Sequence, residues 1–158
     1  KMGADVKIVN KKNRAPEPVA DIIVKHSKTR GIIITKDMVP SIIDELPIIF
    51  VLAALSKGPT IIEGVGELRV KETDRIASMR NGLKSMGADL RVDGDNIAIE
   101  GVKSLKGALL KSFGDHRTCM ALAVAALAAE GGSEIEGIES VSKSFPSFFD
   151  TLFKLTLV

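Results

Sequence analysis

The chain of 158 residues has no tryptophan, no tyrosine and only six phenylalanines. So few aromatics leave little for base stacking, and they argue against a single-strand nucleic-acid binder. The core must instead be aliphatic, built from Ile, Leu, Val, Ala and Met. Charge of one sign is lacking too. Twenty-two basic against 20 acidic residues leave a formal +2, too weak a field to draw nucleic acid or an anionic membrane. The single cysteine, Cys119, excludes an intrachain disulfide framework and any multi-cysteine metal site. It lies next to an Ala/Leu-rich run at 120–129, where a small buried hydrophobe is expected rather than a reactive thiol. No hydrophobic run reaches the roughly 18 residues of a membrane span, and no signal peptide precedes the first strand. The expectation is a soluble, cytoplasmic protein with no membrane or nucleic-acid partner. The opening Lys1-Met2-Gly3 carries no N-terminal signal and reads as though cut from something longer.

What the sequence does hold is repetition. Met2-Gly3-Ala4-Asp5-Val6 returns 84 residues later as Met86-Gly87-Ala88-Asp89-Leu90, and Ile62-Glu63-Gly64 returns 73 residues later as Ile135-Glu136-Gly137. Ahead of each Ile-Glu-Gly lies an apolar helix, expected over 46–55 and 118–129, and ahead of each helix an aspartate, Asp44 or Asp115. Behind each comes a lysine, Lys71 or Lys143, expected to open a further helix. One α/β unit used twice implies stacked equivalents sharing a core. Strands are expected at 6–9, 21–26, 32–35 and 108–112, with a turn at Pro16-Glu17-Pro18. A hairpin is expected over 90–99, turning at Asp93-Gly94-Asp95-Asn96. Interleaved strands and helices make a mixed α/β chain whose sheets cannot be purely parallel.

The densest chemistry lies in Glu67-Leu68-Arg69-Val70-Lys71-Glu72-Thr73-Asp74-Arg75. From Glu72 onward, Ile76, Met79, Leu83 and Met86 recur at helical spacing, and Gly87 stops the helix as a C′ residue would. Lys71, Glu72 and Arg75 would then stand at a helix N-terminus, which favours an anion. Two readings are open here: a solvated first turn serving the dipole, or a site that binds an anion and moves a proton. Asp44 is open in the same way, as an N-cap in Asp44-Glu45-Leu46-Pro47 or as a general base. In Gly114-Asp115-His116-Arg117, Asp115 can cap, and His116 can be an oriented acid/base or a packing residue. Arg117 offers a planar fork for carboxylate or phosphate, although a cation in a first helical turn runs against the macrodipole. Lys143 precedes a last helix in which Phe148, Phe149, Leu152 and Phe153 are expected to form the core stripe. Stacking the two units would gather Asp44, Lys71, Glu72, Arg75, Asp115, His116, Arg117 and Lys143 along one edge. Cations and carboxylates together suit a small polyanion with acid/base groups at hand. No metal-ligand cluster, nucleophile elbow or glycine-rich nucleotide loop is present, so no cofactor is expected.

These motifs, taken together in this order, resemble the C-terminal part of the 5-enolpyruvylshikimate-3-phosphate synthase family over nearly the whole chain. The resemblance implies transfer of the enolpyruvyl group from phosphoenolpyruvate to the 5-hydroxyl of shikimate 3-phosphate, in the shikimate pathway. It implies a fold of repeated β-α-β-α-β-β units around buried parallel helices, three to a domain, with substrates held between two such domains. Residues 1–158 would then be part of one domain, about two units and a fraction of a third, in a full-length monomer. In this family the position of Asp44 takes the 5-hydroxyl proton and contacts shikimate 3-phosphate, which Lys71 also binds. Glu72 would handle the proton at the methylene carbon of phosphoenolpyruvate. Arg75, Arg117 and Lys143 would bind phosphoenolpyruvate in the pocket that glyphosate also occupies, with Asp115 and His116 in support. Some members carry an asparagine ligand where Glu67 stands here, so that contact is not carried over. The other domain, with its own lysine, serine and arginine ligands, has no counterpart in this sequence, and a catalytically dead fragment is expected. UDP-N-acetylglucosamine enolpyruvyl transferase shares the architecture, but Lys-Glu-Thr-Asp-Arg with Asp-His-Arg argues against it. A stand-alone anion-binding domain is the alternative of another class.

Overall fold

A computed structural model describes residues 1–13 and 17–156 of the chain. Its first feature is a hairpin of β1 (Asp5–Asn13) and β2 (Pro18–Lys25), paired antiparallel with an irregularity between Val9 and Lys12. Every residue of β2 is exposed, Ile22 and Val24 included, so this hairpin adds nothing to the core. Pro16 of the expected Pro16-Glu17-Pro18 turn lies outside the described residues. The short β3 (Ile33–Ile34) follows, then a single helical turn α1 (Val39–Ile42) and the apolar α2 (Leu46–Ala54). After α2 comes β4 (Pro59–Ile62), which runs parallel to β3, and a 3₁₀ helix over Gly66–Val70. Helix α3 (Arg75–Ser85) leads into the hairpin of β5 (Asp89–Asp93) and β6 (Asn96–Glu100). Strands β3, β4, β6 and β5 form one sheet in that order, with β6 antiparallel to both of its neighbours, β4 and β5.

The second half repeats the plan of the first. Strands β7 (Leu105–Lys106) and β8 (Leu109–Lys111) precede α4 (His116–Leu127). Strands β9 (Ala129–Glu130) and β10 (Glu134–Glu136) follow it, β9 parallel to β7 and β10 parallel to β8. A 3₁₀ helix over Ile138–Lys143 and α5 (Phe148–Thr156) end the described chain. The match extends to single hydrogen bonds. Gly31 N–H donates to Lys57 O and Gly107 N–H to Glu130 O, both at 2.9 Å. The amides of Arg30 and Lys106 likewise donate to Met2 O and Met86 O, both at 2.9 Å. At Gly31 a Cβ would stand 1.9 Å from the carbonyl oxygen of Pro59 in β4, and at Gly107 2.0 Å from that of Gly132 between β9 and β10. A side chain at either position would push the facing backbone away, which is why both are glycine.

Burial explains the helices. The faces of α2, α3 and α4 join one aliphatic cluster with Leu46, Phe50, Met79, Leu83 and Leu122, together with the sheet residues Ile62, Leu90, Ile97 and Ile99. The core therefore runs through both halves. Helix α3 ends as its sequence foretold. Gly87, at φ +88, is the C′ residue, its N–H donates to Lys84 O, and Ala88 N–H donates to Leu83 O. That is the Schellman arrangement, which only a residue at ease in the left-handed region closes without strain. The thiol of Cys119 is fully buried, and burial pushes its pKa above the ordinary value. No helix among the described residues is long and apolar enough to cross a membrane.

Three local expectations change. Helix α3 starts at Arg75, not Glu72, because Asp74 is its N-cap and accepts from Ala77 N–H at 2.9 Å. Lys71 and Lys143 end 3₁₀ helices instead of opening α-helices. In each copy the chain must first tuck an apolar side chain inward, Leu68 or Val141, both buried. No residue of α5 is buried: Phe148, Phe149 and Leu152 are partly covered and Phe153 is exposed, so its apolar face is no core stripe in this chain.

Candidate active site

Arg75 organises the site. It is the first residue of α3 and the largest fully buried side chain among the described residues. Each nitrogen of its guanidinium donates to a different carboxylate: Nε to Asp115 at 2.9 Å, Nη1 to Asp44 at 3.1 Å and Nη2 to Glu72 at 2.5 Å. Asp44 is also gripped by Arg117, whose Nη1 donates to the Asp44 carbonyl at 3.0 Å and whose Nη2 lies 3.2 Å from its carboxylate. Three carboxylates thus share two guanidiniums, and five of the eight expected residues belong to one network. A buried guanidinium without such partners would be far too costly in desolvation to persist.

The polar ends are set by helix starts. Asp115 caps α4 by accepting from Thr118 N–H at 2.8 Å with one oxygen while the other receives Arg75. Burial by itself would raise the Asp115 pKa, but the Thr118 amide and the Arg75 guanidinium outweigh it and hold the carboxyl below its ordinary value. Asp44 does not cap α2. Glu45 occupies that N-cap position and makes no side-chain cap, and a proline in the first turn removes one of the donors a cap would serve. The Asp44 carboxylate is left for the two arginines, at 44% exposure and open to the cleft. Arg117, set in the first turn of α4 against the dipole, is repaid by Asp44. A cleft of about 220 Å³ opens beside this pair, lined by Asp44, Pro47, Ile48, Arg117, Met120 and Phe148.

The remaining three residues stand at the margin. Lys143 Nζ donates to Gly114 O at 3.1 Å, which ties the end of the second 3₁₀ helix to the residue before Asp115. The ammonium of Lys71 pairs with Glu67, four residues back, and is not part of the Arg75 network. His116 is half-buried, and its Nδ1 is buried with no hydrogen-bond partner among the described residues. Arg69, which the sequence does not single out, reaches Gly94 O, Asp95 and Asp74. Only the i,i+5 spacing to Asp74 was visible in the sequence, and a partner across a hairpin turn leaves no local signal.

The chain matches the family model of EPSP synthase (3-phosphoshikimate 1-carboxyvinyltransferase) over residues 1–152. The chain belongs to the EPSP synthase family. It is 51% identical over 156 residues to the 3-phosphoshikimate 1-carboxyvinyltransferase of Syntrophomonas wolfei subsp. wolfei, covering 98% of this chain and 36% of that protein. The enzyme of the same name from Brevibacillus brevis is 44% identical over 155 residues, again across 98% of this chain and 36% of the relative. A solved EPSP synthase from Acinetobacter baumannii superposes with a TM-score of 0.90 at 41% identity, over 97% of this chain and 36% of that one. The enolpyruvyl transferase NikO from Streptomyces tendae has the same fold, with a TM-score of 0.70 at 20% identity, over 95% of this chain and 32% of that one. The mixed α/β architecture is therefore the enolpyruvyl transferase fold, and the chain spans about a third of the length of its relatives.

Proposed function

We propose that the protein to which this chain belongs transfers the enolpyruvyl group of phosphoenolpyruvate to the 5-hydroxyl of shikimate 3-phosphate, releasing phosphate, as a cytoplasmic step of aromatic amino-acid biosynthesis. The single observation that supports this reading best is the network in which Arg75 and Arg117 share Asp44, with Glu72 on the other side of Arg75. It holds two carboxylates at 44% and 45% exposure against buried positive charge. In that reading Asp44 takes the hydroxyl proton as oxygen bonds to the enol carbon. Glu72 handles the proton at the methylene carbon. Because the product keeps that methylene, any proton added there must be removed again as phosphate leaves, so one carboxylate can serve both steps.

Arg75, Arg117 and Lys143 bind phosphoenolpyruvate, and glyphosate would compete there. Asp44 and Lys71 bind shikimate 3-phosphate, while Asp115 and His116 support the wall. An anion entering this site would compete with Asp44 and Glu72 for the two guanidiniums, and would release the carboxylates for proton transfer. A second domain supplies the opposite wall, excludes water and completes the phosphate pocket. Residues 1–158 form part of one domain. The test is phosphate release from phosphoenolpyruvate and shikimate 3-phosphate by the full-length protein and by this chain alone. Turnover is expected from the first and none from the second. A full-length protein without turnover would refute the transfer, and turnover by the chain alone would refute the need for a second wall.

A further inference from the structure

The loop between β4 and α3 carries Lys71 and Glu72, yet it is short of regular structure beyond five 3₁₀ residues. Something else must fix it. The turn of the β5–β6 hairpin lies against it at four points. Val65 N–H donates to Asp95 O at 2.8 Å and Gly64 N–H to Asn96 Oδ1 at 3.1 Å. Arg69 Nη2 donates to Gly94 O at 2.6 Å, and Arg69 Nε lies 3.7 Å from the Asp95 carboxylate. A Cβ at Gly66 would stand 2.6 Å from that same carboxylate, so loop and turn are in direct contact. The Arg69 guanidinium also reaches forward, its Nη1 3.5 Å from Asp74, the cap of α3. It therefore touches the hairpin turn on one side and the helix start on the other, with Lys71, Glu72 and Thr73 strung between them.

We infer that Arg69 is a positioning residue for the active-site loop: by tying the β5–β6 turn to the cap of α3 it fixes where Lys71 and Glu72 stand. The inference rests on the transfer proposed above. An exposed ion pair alone would contribute little. Arg69 differs because a charged donor meets a fixed backbone carbonyl and two carboxylates at once, which sets geometry more than stability. A loop displaced by an ångström suffices to slow a reaction that depends on alignment.

The experiment uses the full-length enzyme with Arg69→Ala, Arg69→Lys, Asp95→Ala, Lys71→Ala and the Arg69→Ala/Lys71→Ala double variant. Arg69→Ala is expected to lower kcat/KM for shikimate 3-phosphate by roughly ten- to a hundredfold, with Arg69→Lys recovering part of it. In the Lys71→Ala background the further loss should shrink to a few-fold, because one of the two residues being placed is gone. Hydrogen–deuterium exchange gives a readout free of catalysis: residues 65–74 should lose protection in Arg69→Ala while α4 keeps it. If Arg69→Ala does not fold, Asp95→Ala carries the same comparisons with smaller effects. Losses that multiply in the double variant, or exchange unchanged at 65–74, would overturn the inference. A wild-type enzyme inactive in the transfer assay would count against the proposed function instead, leaving the exchange result to decide the role of Arg69.

Discussion

Replacing Asp115 tests the network at its buried end. Its side chain is fully buried, and its two oxygens do separate jobs, one capping α4 through Thr118 N–H and the other holding Arg75 Nε. Asp115→Asn keeps an oxygen for the cap. The amide nitrogen must then face Arg75 Nε–H, so a donor meets a donor and the buried cation loses a counter-charge. Removing one partner of a buried pair costs about 3–5 kcal/mol. Asp44 and Glu72 still hold the other two nitrogens, which favours the lower end, about 3 kcal/mol. Asp115→Ala also removes the cap, a further loss of about 1 kcal/mol. The assay is urea unfolding of the chain followed by far-ultraviolet circular dichroism, since the sequence has no Trp or Tyr to report by fluorescence. A variant already unfolded without urea would agree with a loss on this scale, because a domain of this kind has only about 5–15 kcal/mol in all. Asp115→Asn as stable as wild type, with Asp115→Ala down by about 1 kcal/mol, would show that only the cap matters. The buried ion pair would then not bind α3 to α4.

Three further outcomes are expected. The folded-state pKa of Asp115 lies below its ordinary value, so its stabilisation is complete above about pH 4 and fades as the pH falls through the depressed pKa. The stability gap between wild type and Asp115→Asn, measured by urea unfolding along a pH series, should therefore close in acid. Gly31→Ala and Gly107→Ala should each destabilise the chain by roughly 1–3 kcal/mol, because the new Cβ meets a backbone carbonyl in either half. Unequal effects in the same unfolding assay would break the equivalence of the two units. In the full-length enzyme, Asp44→Ala and Glu72→Ala should reduce kcat by about a hundredfold or more and change KM much less. A rise in KM with kcat unchanged would assign these residues to positioning.

Much of this was legible because it depends on neighbours in the chain. The end of α3 at Gly87, the hairpin turning at Gly94-Asp95 and the Asp115 cap each need only a few adjacent residues of the right kind. The repeats were legible because equal packing demands select similar residues at equal spacing. What misled was local plausibility. Asp44 before Leu46-Pro47 looks like a cap, but Glu45 takes the N-cap position and two arginines from other elements receive the Asp44 carboxylate. The aromatic stripe of α5 looks like core, but a helix buries its apolar face only where another element covers it.

By itself, then, the sequence determined the mixed α/β class, the helix stops and turns, and the set of residues carrying charge. Helix stops, turns and apolar periodicity act over a few bonds and leave their mark on the letters. The tertiary structure alone decided which of those charges meet. Arg75 is one cation among 22 in the sequence, and it became the centre of the site because folding buried it where Asp44, Glu72 and Asp115 converge. A buried charge is tolerable only with its counter-charges in place, and those come from segments up to 40 residues away.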